Sequence, residues 1–136
     1  MTRRLFALSP ILVFVLFTQA PGHTGSPPSL PDNAISQYEA SIPPSQSTTH
    51  VVGTTWCAYS VSAELLCKKN GTPVTLSYSV SRSSPHPYHI DWDYNVSLTP
   101  LSLQSGDVLE WEFRAKADSG PDRGTWVSCY ATTQVQ

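Results

Sequence analysis

The side chains best placed to bind a metal ion stand close together in the middle of the chain. In order they are His86, His89, Asp91 and Asp93. The last three alternate with apolar residues, which places them on one face of a strand, about 6.5–7 Å apart. That spacing is too wide for them to reach one zinc ion at about 2.0–2.2 Å. We therefore expect no metal and no cofactor, and interpret the group as a solvated strand face.

Paired carboxylates and cysteines could also carry chemistry. Asp91 with Asp93, and Glu110 with Glu112, have the i, i+2 spacing of groups that could act as general acid and base. The polar side of an amphipathic strand has the same spacing, so we interpret both pairs as outer surface. The chain contains no Gly-x-Ser-x-Gly motif for a serine nucleophile, and a nucleophilic cysteine needs a thiolate beside a histidine. The sequence predicts a protein that is not an enzyme.

Two N-glycosylation motifs are present. Asn70 begins the triplet Asn-Gly-Thr in a turn, and Asn95 begins Asn-Val-Ser on the polar side of a strand. Both positions should be accessible, so we predict a glycan at each. A glycan at Asn95 would also shield the face that carries His89 and Asp91.

Two aromatic residues near the end of the chain form the candidate binding face. If Cys129 points inward, the alternation of a strand turns Trp126 and Tyr130 outward, where exposed aromatic residues are typical interface anchors. With the opposite parity, Trp126 and Tyr130 fill the core and Cys129 faces solvent. The sequence leaves both arrangements open.

The elements that must position these residues are strands. Alternation of apolar and polar residues, with turn residues between the runs, predicts an all-β chain without helical periodicity. Spacing of about a dozen residues between turns suits a sandwich of about seven short antiparallel strands. The predicted strands are 54–68 (one or two, with a break near 60), 74–81, 88–98, 109–116 and 125–135.

The N-terminal part has a different composition. Arg3 and Arg4 precede an apolar run over 5–17, which predicts a signal peptide over residues 1–22 and a secreted, extracellular protein. A membrane anchor is the alternative, but the run is shorter than the roughly 20 residues of a membrane span. Residues 23–50 are rich in Pro, Ser and Thr without apolar periodicity, which predicts a flexible tail. One domain then occupies residues 51–136.

Charge excludes one class of partner. Without Arg3 and Arg4, acidic residues outnumber basic ones, and no cluster of Lys and Arg is longer than Lys68 and Lys69. Nucleic acid is therefore not an expected partner.

Two parts of the chain carry a family resemblance. Segment 65–78 reads Leu-Leu-Cys-Lys-Lys-Asn-Gly-Thr-Pro-Val-Thr-Leu-Ser-Tyr, and segment 103–120 contains Leu-Gln-Ser-Gly-Asp, Trp-Glu-Phe-Arg-Ala and Ser-Gly. They resemble the strand B to C and the strand E to F regions of short immunoglobulin-like domains in Fc-receptor-like leukocyte proteins. In this comparison Cys67 is similar to the strand B cysteine. Phe113 stands where the strand F cysteine is missing, and Tyr78 stands near the place of the strand C tryptophan.

The missing strand F cysteine leads to a hypothesis about thiols. Cys67 has lost the partner that the family would provide, which favours a disulfide between Cys57 and Cys129 on adjacent edge strands. Cys67 is then a buried free thiol packed on Phe113. Bridges from Cys67 to Cys129, or from Cys57 to Cys67, are the alternatives.

The resemblance implies a function. It is that of a secreted, non-enzymatic immunoglobulin-like binding protein, a soluble ligand or decoy in immune or cell-surface recognition, whose partner is a cell-surface receptor or secreted ligand. The alternative is a small extracellular structural or effector protein that works as a disulfide-linked homodimer. The odd number of cysteines leaves this alternative open.

Overall fold

The computed structural model describes residues 25–136, which form nine β-strands, one short 3₁₀ helix and no α-helix. The strands are β1 (Asp32–Gln37), β2 (Ser41–Ile42), β3 (Thr48–Trp56), β4 (Val61–Lys69), β5 (Thr72–Val74), β6 (Ser77–His86), β7 (His89–Ser97), β8 (Val108–Ala117) and β9 (Val127–Val135). The 3₁₀ helix, Thr99–Leu101, lies between β7 and β8. The predicted all-β class is confirmed. The predicted signal peptide, 1–22, lies outside the described residues.

The strands form two sheets, ordered β1-β3-β7-β6 and β2-β9-β8-β4-β5. Neighbouring strands are antiparallel, except that β2 runs parallel to β9. The two-sheet arrangement is compatible with the predicted sandwich, with nine strands rather than about seven. No helix between residues 25 and 136 is long and apolar enough to cross a membrane.

Alternation along the central strands builds the core. In β8, the side chains of Leu109, Trp111 and Phe113 are completely buried, while those between them face outward. β7 contributes Trp92 and Tyr94 in the same way. Because one face of each strand is apolar, these strands bury that face against the other sheet.

The segment predicted as a flexible tail, 23–50, is instead largely part of the fold. It supplies β1, β2 and the start of β3, and it buries Ile35 and Ile42, which are 2% and 0% exposed. Pro31 immediately precedes β1 and Pro43 immediately follows β2, so these prolines lie outside the ladders that they would interrupt. Strands of six and two residues are too short to show a period. Composition alone therefore gave the wrong prediction here.

Candidate functional site

The outer surface of the five-stranded sheet carries the two aromatic residues of the candidate binding face. Trp126 is 37% exposed and Tyr130 is 61% exposed. On β9, Cys129 lies opposite the buried Phe113 of β8, so Cys129 faces inward and the next residue, Tyr130, faces outward. Of the two parities left open by the sequence, the structure has the one with Trp126 and Tyr130 outside.

Two cations flank Trp126. The guanidinium carbon of Arg114 lies 4.3 Å from the centre of the Trp126 ring, and the ammonium of Lys116 lies 4.9 Å from it. Glu64 on β4 accepts hydrogen bonds from Arg114 Nη2 at 2.7 Å and Nε at 3.1 Å. Cation–π contacts and this ion pair hold the aromatic ring and the charges in one arrangement.

Beside Arg114 and Lys116, the same surface carries acidic and apolar side chains. Glu112 lies between Leu66 on β4 and Tyr130 on β9, and it accepts a 2.6 Å hydrogen bond from Ser128 Oγ. A hollow of about 170 Å³ opens beside it. The hollow is lined by Leu66, Cys67, Lys68, Pro73, Val74, Glu110 and Glu112.

We call the surface formed by Leu66, Glu112, Arg114, Lys116, Trp126 and Tyr130 the Trp126 face. It combines exposed apolar side chains with charges of both signs on paired strands, a composition that suits contact with another protein. The sequence identified Trp126 and Tyr130 as candidates but did not connect Arg114 and Lys116 with them. The sequence shows that Arg114 and Lys116 alternate with apolar residues and therefore face outward. Their contact with Trp126, however, depends on the register between β8 and β9.

The predicted disulfide between Cys57 and Cys129 is absent, and all three cysteines are free thiols. The Cys129 thiol receives a backbone hydrogen bond from Ile35, whose partner on β3 is Gly53. Cys57 follows Gly53 by four residues, which corresponds to about 13 Å along an extended strand. Disulfide-bonded cysteines have Cα atoms about 4.4–6.8 Å apart, so this bridge would require the strands to move.

The alternative bridge from Cys67 to Cys129 is also excluded by strand order. Cys67 is on β4 and Cys129 on β9, with β8 between them, so their Cα atoms are separated by at least two strand spacings, roughly 10 Å. Cys67 is a buried free thiol, 4% exposed, but it lies opposite Trp111 and not opposite Phe113.

Two of the three thiols do not suit nucleophilic catalysis. Burial, with a contribution from Glu110, raises the pKa of Cys67 to about 12. Burial also raises the pKa of Cys129 to about 12, against a backbone hydrogen bond that lowers it. These two thiols are protonated at neutral pH, whereas a nucleophilic cysteine needs a lowered pKa.

The resemblance implies strand positions for Cys67 and Phe113 that differ from those in the structure. Strands B and F of an immunoglobulin sandwich belong to opposite sheets, but Cys67 and Phe113 lie on neighbouring strands of one sheet. The residue that faces Phe113 across the interior is Gly53 on β3. Tyr78, aligned near the strand C tryptophan, lies on the edge strand β6 and is 39% exposed.

The histidine and aspartate residues considered for metal binding lie on the outer side of the four-stranded sheet. His50 Nδ1 is 2.9 Å from Asp93 Oδ1, and the rings of His86 and His89 are 6.1 Å apart. Partial burial raises the pKa of Asp91, although His89 and His86 oppose this shift. Within residues 25–136, no group of three or more His, Cys, Asp or Glu side chains could hold a metal ion.

The two glycosylation motifs occupy different environments. Asn95 is exposed on the outer side of β7. Asn70 has a φ of 51°, and its side-chain amide donates to Asp107 Oδ1 and accepts from the Val108 backbone N–H, both at 2.9 Å. Asn70 therefore clamps the β4–β5 turn to the start of β8, and its bond lowers the pKa of Asp107.

Comparison with known proteins found no family model that matches this chain and no matching curated protein sequence.

Proposed function

We propose that this chain is a secreted, non-enzymatic, immunoglobulin-like protein that binds a protein partner through the Trp126 face. The partner is a cell-surface receptor or a secreted ligand, for which the chain acts as a soluble ligand or decoy. The observation that carries the proposal is a pair of exposed aromatic residues on one side of the five-stranded sheet. Tyr130 is on β9, and Trp126 immediately precedes β9 and lies against Arg114 and Lys116 of β8.

Strand order supports the immunoglobulin-like part of the proposal. In immunoglobulin sandwiches one sheet has the order A-B-E-D and the other contains G-F-C, extended by C′ in variable-type domains. The orders β1-β3-β7-β6 and β9-β8-β4-β5 correspond to these when strands are lettered along the chain. With that lettering, Gly53 on β3 and Phe113 on β8 face each other between strands B and F, where antibody domains have a disulfide.

The physical character of the Trp126 face supports the binding part. Trp, Tyr and Arg are the residues that most often dominate binding energy at protein interfaces. Arg114 is already held by Glu64 and stacked on Trp126, so little side-chain freedom remains to be lost on binding. The other outer face carries the exposed Asn95, and a glycan there would leave the Trp126 face uncovered.

The disulfide-linked homodimer has less support. An intermolecular bridge needs an accessible thiol, but Cys57 and Cys67 are 2% and 4% exposed. Cys129 is partly buried, and its thiol donates to the Phe113 carbonyl oxygen at 3.6 Å.

The proposal is tested with the mature protein, secreted from eukaryotic cells, against a panel of recombinant receptor ectodomains and secreted proteins. We expect saturable binding to a member of the panel. Trp126→Ala and Tyr130→Ala should each weaken binding about 30-fold or more, as for interface anchors worth about 2 kcal/mol.

Tyr88→Ala is the matched control, because Tyr88 is 56% exposed and lies at the β6–β7 turn of the other sheet. It should leave affinity unchanged. Binding that survives the double variant Trp126→Ala/Tyr130→Ala, or that is lost on Tyr88→Ala, would contradict the proposed face. Circular dichroism of each variant checks that the fold is intact.

A further inference from the structure

The free edge of β6 differs from the other sheet edges in the described part of the chain. β2 and β5, at the ends of one sheet, have two and three residues, and β5 contains Pro73. β1, at one end of the other sheet, has six residues and a bulge between Ile35 and Gln37. Short, bulged or proline-containing edges resist pairing with other chains. In contrast, β6 has ten residues, and all of them are exposed.

The sequence of β6 also lacks the usual protection of an edge. Residues 77–84 contain no proline, no carboxylate and a single cation, Arg82. Pro85 and a shift of register between Ser83 and His86 come only at the end of the strand. The regular part of β6 therefore offers its outer backbone groups to another strand without a charge barrier.

Three side chains of β6 belong to the inner face of the sandwich and are nevertheless exposed. Tyr78, Val80 and Arg82 each pair with a buried residue of β7. Tyr78 is 39% and Val80 45% exposed, because β6 packs mainly on β7 and the strand β5 in the other sheet has only three residues. Arg82 lies over the ring of Trp92, with 4.6 Å between Cζ and the ring centre. A single copy of the chain thus leaves Tyr78 and Val80 partly uncovered, beside Arg82.

We infer that β6 pairs antiparallel with β6 of a second copy of this chain, about a two-fold axis at Val80. The two four-stranded sheets then join into one continuous sheet. This interface lies away from the Trp126 face, which is on the other sheet, so the inference is independent of the proposed function.

Charge and side-chain character select this register. Pairing about Val80 places Val80 opposite Val80, and the single cation Arg82 opposite the aromatic ring of Tyr78, a favourable cross-strand pair. Pairing about Arg82 would oppose two guanidinium groups, which is destabilising. Pairing about Ser81 would oppose the cation to Val80. Pairing about Ser79 would place Arg82 opposite Leu76, which lies outside β6.

The first test measures the oligomeric state of the mature secreted protein by analytical ultracentrifugation from micromolar to millimolar concentration. We expect a reversible monomer–dimer equilibrium. Val80→Lys places two like charges opposite each other at the axis and should weaken dimerisation roughly tenfold or more. Tyr130→Lys, on the Trp126 face, is the matched control and should leave dimerisation unchanged.

The second test reads the register through disulfide formation. Residues opposite each other have Cα atoms about 4.5–5.5 Å apart, so Val80→Cys should oxidise to a covalent dimer. Neither Ser79→Cys nor Ser81→Cys should form a covalent dimer by itself. In this register each of these residues is about 8 Å from the same residue of the second copy. A mixture of the Ser79→Cys and Ser81→Cys proteins should form the cross-link.

Several results would overturn the inference. A monomer at every concentration with no Val80→Cys cross-link would show that β6 does not self-associate. A dimer that tolerates Val80→Lys but is lost on Tyr130→Lys would move the interface to the other sheet. A cross-link from Ser79→Cys or Ser81→Cys alone, without one from Val80→Cys, would exclude the proposed axis.

Discussion

The ring of Phe113 occupies the space in front of Gly53, on the strand that faces it across the interior. A Cβ added to Gly53 would lie 2.5 Å from Cε1 of Phe113, closer than real Cβ contacts come. The ring also packs edge-on against Tyr94, with 6.1 Å between ring centres. The absence of a side chain at Gly53 is therefore what allows a phenylalanine between the two sheets.

This contact predicts a coupled pair of substitutions. Gly53→Ala should lower the free energy of unfolding by about 1–3 kcal/mol, because the added methyl group overpacks the core. In a Phe113→Leu background the same substitution should cost much less, since the ring is gone. Urea denaturation of the four proteins gives the coupling energy. Gly25→Ala is the control, because nothing lies within 4 Å of a Cβ there. Additive effects of Gly53→Ala and Phe113→Leu would contradict the contact.

The N-terminal strands should contribute to stability. Ile35→Ala and Ile42→Ala should each lower the free energy of unfolding by about 2–5 kcal/mol, as expected for truncation of a buried side chain. Leu30→Ala should change it by less than about 1 kcal/mol, because Leu30 is 38% exposed. Urea denaturation is again the measurement. Equal and small effects for all three variants would restore the interpretation of this segment as a flexible tail.

The buried thiols should react only after unfolding. At pH 8 we expect slow labelling of the native protein by Ellman's reagent and labelling of all three cysteines in denaturant. A protein with a disulfide would instead release fewer thiols in denaturant, and its mass would be lower by two hydrogens. That result would show that the strands rearrange to form a bridge.

The same thiols predict a pH dependence at alkaline pH. Folding raises the pKa of Cys67 and Cys129 to about 12, whereas the unfolded chain releases these protons near the ordinary value of about 8.5. Their contribution to stability is complete below about pH 8.5 and is lost progressively up to about pH 12. Denaturation of Cys67→Ala and Cys129→Ala beside the parent protein should show a shallower decline over this range. An unchanged slope in both variants would contradict the raised pKa values.

Asn70 and Asn95 should respond differently to substitution. Asn70→Gln removes the bonds to Asp107 and Val108, so it should lower the urea midpoint, whereas Asn95→Gln, on an exposed strand face, should not. In a glycosylating host we expect the glycan mainly at Asn95, as measured by peptide mass before and after enzymatic deglycosylation. Full occupancy at Asn70 together with an unaffected Asn70→Gln protein would contradict this assignment.

Several strands could be predicted well because their signal is local. The predicted strands 88–98 and 109–116 agree with β7 (His89–Ser97) and β8 (Val108–Ala117) to within one residue at each end. Each buries one face, so the alternation is written into consecutive residues. The prediction of one strand over 74–81 was wrong, since β5 ends at Val74 and β6 begins at Ser77. β6 continues beyond the predicted end at residue 81, and the chain turns only after His86.

Part of the candidate site followed from the same local signal. The sequence identified Trp126 and Tyr130 as a pair that must share one side of a strand, because alternation sets relative orientation. Whether Trp126 and Tyr130 face the core or the solvent depends on whether Cys129 lies opposite Phe113. That pairing is set by the register between β8 and β9. The positions of Arg114 and Lys116 beside Trp126 depend on the same register.

By itself, the sequence determined the all-β class, the approximate positions of the strong strands and the alternation of side chains along them. The tertiary structure alone decided the strand order, the inclusion of Ile35 and Ile42 in the core, the separation of Cys57 from Cys129 and the contact of Phe113 with Gly53. The physical reason is distance along the chain. Alternation is set between neighbouring residues, whereas strand pairing and core packing join residues far apart in sequence, whose partners are chosen by the burial of the whole apolar surface.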